Sequence, residues 1–291
     1  MHPGEPVIDA PLVRRLLGEC FPAWADLPLR RVSSTGTDNA LFRLGEDRVV
    51  RLPRVGWAAP GIEHERAWLP VLAPHLPVPV PEPLGLGRPA AGYPWPWAVH
   101  RWLDGANPTT APPGLGRDLA GFVAALRRVD PSGAPAASRG RPLAARDEAT
   151  REAIGALGDR IDAPAVTAAW EAALSAPRWR GAAVWTHADL SPGNVLLRDG
   201  KLGAVIDFST AGVGDPAADL PVAWNLPTPP ERADFRAALG DDEATWRRGR
   251  GLALSIALIQ LPYYRDTNPA LAANSRHVIE QVLAEPDGDA R

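Results

Sequence analysis

The feature of this sequence that most restricts its fold lies in residues 184–219, where a polar loop precedes two short apolar runs. The runs are Val195–Leu197 and Leu202–Ile206, and the pair Asp199-Gly200 lies between them. An Asp-Gly pair between two apolar runs is the usual signature of a tight hairpin turn. The segment therefore predicts a loop followed by a two-stranded hairpin.

This hairpin places three polar side chains. Asn194 precedes its first strand, Asp207 follows its second strand, and Asp189 lies in the loop before it. Because the first strand begins where the second one ends, Asn194 and Asp207 can face one point in space, with Asp189 beside them. Carboxylate and amide oxygens suit Mg²⁺ rather than Zn²⁺. A further carboxylate can accept a proton from a hydroxyl, so the set is the minimum apparatus for phosphoryl transfer from a nucleotide.

The spacing of these residues resembles that of a known family. The chain reads H-A-D-L-S-P-G-N over residues 187–194, I-D-F over 206–208 and G-D-P-A-A-D-L over 214–220. This pattern is similar to the aminoglycoside phosphotransferase family of kinase-like enzymes, whose loop usually reads H-G-D-x-x-x-x-N. The departure is Ala188 in place of the usual glycine. Each residue alone fits a core histidine, a turn or a helix cap, but the whole set at this spacing favours the family.

The resemblance implies a bilobal α+β fold like that of protein kinases. The strand-rich patterns lie in the first part of the chain, and helical periodicity dominates the rest apart from the hairpin. We predict a small N-terminal nucleotide-binding lobe over residues 1–103 and a larger helical, catalytic and acceptor-binding lobe over residues 104–291. ATP or GTP would be the phosphate donor, Mg²⁺ the cofactor, and a small-molecule hydroxyl the acceptor.

The resemblance also implies roles for the residues of the motif. Asp189 would orient the acceptor hydroxyl and take its proton. Asn194 and Asp207 would hold Mg²⁺ ions that bridge the nucleotide phosphates. His187 would support the loop, and Asp219 would brace its backbone. Transfer would then depend mainly on positioning and charge neutralisation.

Kinases present a lysine from their third strand to the nucleotide phosphates. In this chain the matching side chain is Arg51, with Arg54 as the alternative. A kinase-like fold also needs a helical glutamate to hold that cation. The following helical segment contains Glu63 and Glu65, and counting back from its end favours Glu65.

Two further segments are predicted to contact the nucleotide. The polar turn after the first strand contains Ser34, Gly36 and Thr37, whose backbone N–H groups could lie over phosphates. Taken alone these residues fit an ordinary hairpin turn better, and it is their position at the start of a kinase-like order of elements that favours phosphate binding. In the resembled family, the end of the first lobe is the hinge that binds the purine. This corresponds to His100, Arg101 and Trp102, acting through their main chain.

Composition excludes several classes of function. The net charge of −3 gives no support for nucleic-acid binding. The single cysteine, Cys20, excludes an internal disulfide and fits a reducing compartment. No apolar run approaches the length of a membrane span, and the N-terminal residues lack a signal-peptide pattern. We therefore expect a cytoplasmic protein without a membrane or nucleic-acid partner.

The acceptor is the least determined part of the prediction. Residues 187–291 carry 15 acidic and 10 basic side chains, whereas residues 1–186 carry 19 and 21. An acidic second lobe favours a cationic acceptor such as an aminoglycoside. Trp224, Tyr263 and Tyr264 could line a pocket for a macrolide or another apolar glycoside, or could be core residues. Homoserine, choline and sugar kinases of the same superfamily also stay open.

Two alternatives come from other classes. A nucleotide-binding pseudokinase fits the missing strand lysine, but the intact Asp189, Asn194 and Asp207 argue against it. A metal-dependent hydrolase using His187, Asp189 and Asp207 would require more clustered histidines than the six in this sequence.

Overall fold

The computed structural model describes residues 5–33 and 36–285. Helices and strands alternate in the first part of the chain, and the later part is mainly helical, as predicted for an α+β fold. In chain order the elements are α1 (Ala10–Cys20), β1 (Leu29–Arg31), β2 (Asn39–Leu44), β3 (Arg48–Pro53), α2 (Pro60–Leu72), β4 (Pro83–Gly87), β5 (Trp97–Arg101), α3 (Leu115–Arg127), α4 (Asp147–Leu157), α5 (Ala163–Ser175), β6 (Val184–Thr186), β7 (Val195–Arg198), β8 (Lys201–Val205), β9 (Gly212–Gly214), α6 (Val222–Asn225), α7 (Pro229–Leu239), α8 (Glu243–Tyr264) and α9 (Pro269–Ala284).

The chain divides into two compact units. The first unit comprises Met1–Asn107, Gly193–Asp199 and Gly203–Ser209. The second unit comprises Pro108–Pro192, Gly200–Leu202 and Thr210–Arg291. Most of the β7–β8 hairpin therefore groups with the first unit, whereas the sequence analysis assigned it to a continuous second lobe. Local periodicity reveals that a hairpin forms, but it does not reveal which distant segment the hairpin packs on.

The first unit contains a five-stranded antiparallel sheet in the order β1-β2-β3-β5-β4. Helix α1 begins after Asp9, whose carboxylate accepts a hydrogen bond from the N–H of Leu12 at 2.9 Å, a standard N-cap. The buried side of α1, which includes Leu16, packs with sheet residues such as Phe42 and Val99 in one apolar core. This packing leaves the opposite face of the sheet available for polar side chains.

The second unit is mainly helical. Helix α8 is its longest helix and packs against α4, α5 and α9. Asp242 caps α8 by accepting a hydrogen bond from the N–H of Thr245 at 2.7 Å. Trp170, Trp185 and Phe122 are fully buried and form part of the apolar interior.

A loop of the second unit is tied to the short strand pair β6–β9. The low-complexity segment after α3 reads as an irregular loop in the sequence, yet the N–H of Ala137 donates to the carbonyl of Val213 at 3.0 Å. The N–H of Val213 in turn donates to the carbonyl of Pro135 at 2.8 Å. A Cβ on Gly212 would lie 2.6 Å from the backbone nitrogen of Ala137, so glycine is needed for this approach. The segment is therefore ordered alongside β9.

Within the described part of the chain, no helix combines the length and the apolar composition that crossing a bilayer requires.

Candidate active site

A buried ion-pair network lies in the first unit. Val50 and Leu52 of β3 belong to the apolar core with α1, so the alternation of a strand directs Arg51 to the opposite face of the sheet. There its Nη1 donates to Glu65 Oε2 at 2.5 Å and its Nη2 donates to Asp207 Oδ1 at 2.7 Å. The structure thus pairs Arg51 with Glu65 of α2, the glutamate that the sequence analysis favoured.

The network is closed by the backbone after Asp207. The N–H of Phe208 donates to Glu65 Oε1 at 2.8 Å, and the hydroxyl of Ser209 donates to Asp207 Oδ1 at 2.7 Å. A Cβ on Gly61, in the first turn of α2, would lie 2.7 Å from the Cβ of Ser209, so this glycine lets the two segments meet. The I-D-F segment is therefore fixed both by side chains and by main chain.

Electrostatics keep the cation of this network charged. Burial alone would lower the pKa of Arg51, but Asp207 and Glu65 raise it above the ordinary value, so the guanidinium stays cationic. Burial raises the pKa of Glu65, and its contact with Arg51 opposes that rise. A fixed cation on this face of the sheet is suited to anionic phosphate oxygens.

Asn194 lies beside this network through the hairpin. The N–H of Ile206, which precedes Asp207, donates to the carbonyl of Asn194 at 2.9 Å. The side-chain amide of Asn107 donates to the carbonyls of Gly193 and Val195, both at 2.9 Å, and so fixes the same turn. The first unit therefore brings Asn194, Asp207, Arg51 and Glu65 into one region.

Asn194 and Asp207 fit Mg²⁺ as two of its ligands and not as a complete coordination shell. The described residues contain no group of three or more His, Cys, Asp or Glu side chains able to form a complete metal cage. Mg²⁺ does not need such a cage, because it usually binds one or two protein oxygens and takes its other ligands from phosphates and water. The amide oxygen of Asn194 and the carboxylate of Asp207 are donors of that kind.

In the segment predicted to be the hinge, two backbone N–H groups are already hydrogen-bonded within the protein. The N–H of Arg101 donates to the carbonyl of Glu82 at 2.9 Å, and the N–H of Trp102 donates to the carbonyl of Asp47 at 2.8 Å. Neither N–H is available to a purine, because neighbouring loops already accept both. The next N–H along the chain, that of Leu103, donates no hydrogen bond to any described residue. The side chain of Arg101 is a surface group paired with Glu82.

His100 is buried on the same sheet. It is 3% exposed and lies opposite Val49 of β3. Burial, and then the charge of Arg51, lower the pKa of His100 to about 3, while Asp207 acts in the other direction. The side chain is therefore a neutral imidazole beside the ion-pair network.

The predicted phosphate-covering turn is only partly visible. Ser34 lies outside the described residues, while Gly36 and Thr37 are within them. The hydroxyl of Thr37 donates to Asp38 at 2.8 Å, and the carbonyl of Asp38 accepts from the N–H of Arg54 at 2.7 Å. The assignment of this turn to phosphate binding stays a prediction.

The second unit contains the loop with Asp189. The carboxylate of Asp219 is 1% exposed and accepts the N–H groups of His187 and Ala188 at 3.1 and 2.8 Å. Burial raises the pKa of Asp219, and the charge of His187 and these N–H donors oppose the rise. Nδ1 of the buried His187 accepts the N–H of Asp189 at 3.2 Å. His187 and Asp219 thus fix the backbone on both sides of Ala188.

The backbone conformation of Ala188 accounts for the glycine that the resembled family has at this position. Its φ is +63°, in the left-handed region that favours glycine. The methyl group packs in a small buried cluster with Ala137 and Ala218. The loop therefore accommodates alanine at a conformational cost of about 1–2 kcal/mol.

Sequence reasoning missed Arg139. Its Nη1 donates to the carbonyl of Ala188 at 2.8 Å and forms an ion pair with the carboxylate of Asp189. Arg139 precedes Asp189 by 50 residues and lies in the loop beside β9. No local pattern signals the contact, because the loop composition resembles that of an unstructured connector.

The aromatic residues proposed for the acceptor differ in exposure. Trp224 is fully buried, and its indole N–H donates to Glu285 at 2.6 Å. It packs at 4.7 Å between ring centroids against Trp246, which donates to the same carboxylate. Trp224 is thus a core residue, which is one of the two possibilities that the sequence left open for it. Tyr263 is 57% exposed and meets Tyr264 edge to face at 4.8 Å.

Comparison with known proteins decides the family. The family model described as the phosphotransferase enzyme family matches residues 29–252. This chain belongs to that family. The match runs from β1 into the first half of α8 and so includes the ion-pair network and the Asp189 loop. The chain is therefore a phosphotransferase, a kinase that acts on hydroxyl groups.

Solved structures share the fold of this phosphotransferase. The GDP and kanamycin complex of APH(2″)-IIia is 18% identical, with a TM-score of 0.74, and the match covers 93% of this chain and 97% of that one. The macrolide 2'-phosphotransferase MphH from Brachybacterium faecium, an apoenzyme, is 27% identical with a TM-score of 0.60, covering 96% and 99%. A macrolide 2'-phosphotransferase type I is 18% identical with a TM-score of 0.65, covering 94% and 98%. None of the curated proteins compared with the chain matches it.

Proposed function

We propose that this phosphotransferase moves the γ-phosphoryl group of ATP or GTP, with Mg²⁺, to a hydroxyl group of a small glycosidic molecule. The observation that carries the proposal is the network in which Arg51 is bound by both Glu65 and Asp207. Such a network presents a fixed cation and a carboxylate in one place, which is what polyphosphate binding requires. Arg51 takes the role of the strand lysine of kinases, so the missing lysine no longer favours a pseudokinase.

The roles of the chain's residues follow from their placement. Asp189 accepts the proton of the acceptor hydroxyl as its oxygen attacks the γ-phosphorus. The new O–P bond forms while the bond to the β,γ-bridging oxygen breaks, and that oxygen keeps the electron pair in the nucleoside diphosphate. Arg51 binds phosphate oxygens, and Asn194 with Asp207 would hold Mg²⁺, which supplies charge neutralisation when bound. Leu103 N–H is our candidate donor to the purine.

The acceptor class is narrowed by the charges of the second half of the chain. The acidic excess after residue 187 favoured a polycationic aminoglycoside, but most of these carboxylates have protein partners. Those with an arginine or backbone N–H partner are Asp189, Asp199, Asp207, Asp215, Asp219, Glu231, Asp234, Asp241, Asp242, Glu243, Asp266 and Glu285. Between residues 187 and 285, little unpaired acidic charge is left to attract a polycation.

A macrolide-type acceptor is therefore our leading candidate. The relative with 27% identity over 96% of the chain is a macrolide 2'-phosphotransferase. An aminoglycoside stays the second candidate, since the relatives of known structure include a kanamycin complex. Homoserine, choline and simple sugars complete the set of acceptors to be tested.

The test is an assay of nucleoside diphosphate release with ATP or GTP, with and without Mg²⁺, against macrolides, aminoglycosides and amino alcohols. Asp189→Asn should lower kcat by about 10³-fold, within the range for loss of a general base, while the nucleotide Kd changes little. Asp199→Asn is the matched control, because Asp199 lies in the hairpin turn with a side chain 94% exposed. Its φ of +52° is one that asparagine tolerates.

Each alternative predicts a different outcome. Near-normal turnover by Asp189→Asn would overturn the role of Asp189. Nucleotide binding without turnover for any acceptor would favour a pseudokinase, and activity without nucleotide would favour a hydrolase.

A further inference from the structure

Arg139 has hydrogen-bonding capacity that its protein contacts do not use. A single nitrogen, Nη1, makes its contacts with the carbonyl of Ala188 and the carboxylate of Asp189. Its Nε and Nη2 donate to no residue in the described part of the chain. The side chains of Arg139 and Asp189 are 24% and 32% exposed, so a ligand can reach both.

The backbone that carries Arg139 is fixed on both sides. Ala137, two residues before it, is 3% exposed in the cluster with Ala188 and Ala218. Gly140, directly after it, donates its N–H to the carbonyl of Ala137 at 3.2 Å and accepts from the N–H of Asp215 at 3.4 Å. A guanidinium presented from such a segment is pre-organised, which makes its contacts more effective than those of a mobile surface arginine.

A second arginine lies close enough to Arg139 for the two charges to interact. Arg146 is the second cation, and its Nε donates to the hydroxyl of Ser255 at 2.8 Å. Burial, and then the charge of Arg139, lower the pKa of Arg146 to about 10, so the guanidinium of Arg146 stays charged near neutral pH. Arg139 and Arg146 place two positive charges in this part of the second unit, and such a pair favours an anionic ligand.

We propose that Arg139 contacts the phosphoryl group in transit and links it to Asp189, an inference that rests on the function proposed above. A hydroxyl bound to Asp189 lies about 3 Å from the carboxylate. Reacting atoms approach to about 3–3.5 Å, which brings the oxygens of the γ-phosphoryl group close to the guanidinium that already contacts this carboxylate. The unused Nη2 and Nε form the fork that matches phosphate geometry.

This contact would act mainly in the transition state. As the acceptor oxygen attacks, its proton passes to Asp189, the γ-phosphoryl group is transferred, and the electron pair of the broken bond stays on the diphosphate. Arg139 neither gains nor loses a proton in this step. It offsets negative charge on the transferred group and orients the carboxylate, so its loss should affect kcat more than substrate binding.

The experiment compares Arg139→Ala, Arg139→Lys and Arg141→Ala in the acceptor assay. We expect Arg139→Ala to lower kcat by about 10²- to 10³-fold with KM for both substrates nearly unchanged, as for removal of one transition-state donor. Arg139→Lys should recover part of the rate, and guanidinium chloride at a non-denaturing concentration should partly rescue Arg139→Ala. Arg141→Ala is the matched control, since Arg141 is exposed in the same loop.

Several results would overturn the inference. They are equal effects of Arg139→Ala and Arg141→Ala, a change confined to KM, or no rescue by lysine or guanidinium in a variant whose thermal unfolding matches wild type. If Arg139→Ala does not fold, Arg139→Lys alone decides, because full wild-type kcat in that variant excludes a forked contact. An inactive wild-type protein would instead overturn the proposed function itself.

Discussion

At the scale of single residues, His100 shows how burial sets a charge state. Its folded pKa of about 3 lies below the unfolded value of about 6.5. The unfolded chain therefore binds a proton more readily than the folded one between these values. Stability that depends on neutral His100 is present above about pH 6.5 and is lost as the pH falls toward 3.

We predict that replacing His100 removes part of the acid sensitivity. Between pH 7 and pH 5, titration of one such histidine costs the folded state about 2 kcal/mol. His100→Phe should show a correspondingly smaller loss of unfolding free energy over this interval in urea titrations. Because the comparison is between two pH values for each protein, a constant packing cost of phenylalanine cancels. An equal loss in both proteins would contradict a lowered pKa for His100.

At the scale of elements, helix α3 depends on a carboxylate from α7. The N–H groups of Gly114 and Gly116, at the beginning of α3, donate to Glu231 Oε1 and Oε2, both at 2.9 Å. These are donors that a helix terminus leaves unsatisfied, and a carboxylate there also complements the helix dipole. A Cβ on Gly116 would lie 2.0 Å from the carbonyl oxygen of Glu231. The contact therefore requires glycine.

Gly116→Ala should lower the free energy of unfolding by about 1–3 kcal/mol, because overpacking outweighs the gain in helix propensity. Gly121→Ala in the same helix is the control, since a Cβ there meets nothing within 4 Å. We expect that variant to be more stable than wild type by up to about 1 kcal/mol. Urea titration of the two variants and wild type measures both values, and a destabilised Gly121→Ala would contradict the packing argument.

Helices and strands are also the level at which the sequence predicted the fold best. Periodicity located helices such as α5 and α9, because each buries one apolar stripe, and the Asp-Gly turn located the β7–β8 hairpin. The motif around Asp189 and Asp207 indicated the family through its spacing. The sequence did not reveal Arg139, whose contact spans 50 residues, nor the burial of Trp224 with its Glu285 partner. Those features depend on tertiary packing, which leaves no local pattern.

At the scale of the whole molecule, nucleotide binding should stabilise the folded state. A ligand at 100 times its Kd contributes about 2.7 kcal/mol to the free energy of unfolding. We expect Mg²⁺ with ATP or GTP to raise the Tm of wild type and to raise that of Arg51→Lys less. Lysine keeps the charge but cannot bridge Glu65 and Asp207 as a fork, and loss of one charged hydrogen bond weakens binding by about 10- to 100-fold.

Arg54→Lys is the control for this comparison. Arg54 directly follows β3 and pairs with Glu5 at 3.4 Å. Its nucleotide-dependent rise in Tm should equal that of wild type. A full rise in Arg51→Lys, or an equal reduction in both variants, would argue against Arg51 as the phosphate-binding cation.

The hairpin turn described above gives the protein a practical property. Of its 31 basic residues only one is lysine, Lys201, which begins β8 with an exposed side chain beside the Asp199-Gly200 turn. Amine-selective reagents would therefore modify this side chain and the α-amino group alone. The emission of a fluorophore attached there would respond to changes around the strand pair that Asn194 and Asp207 flank. Such labelling usually requires an engineered cysteine, and here it would not.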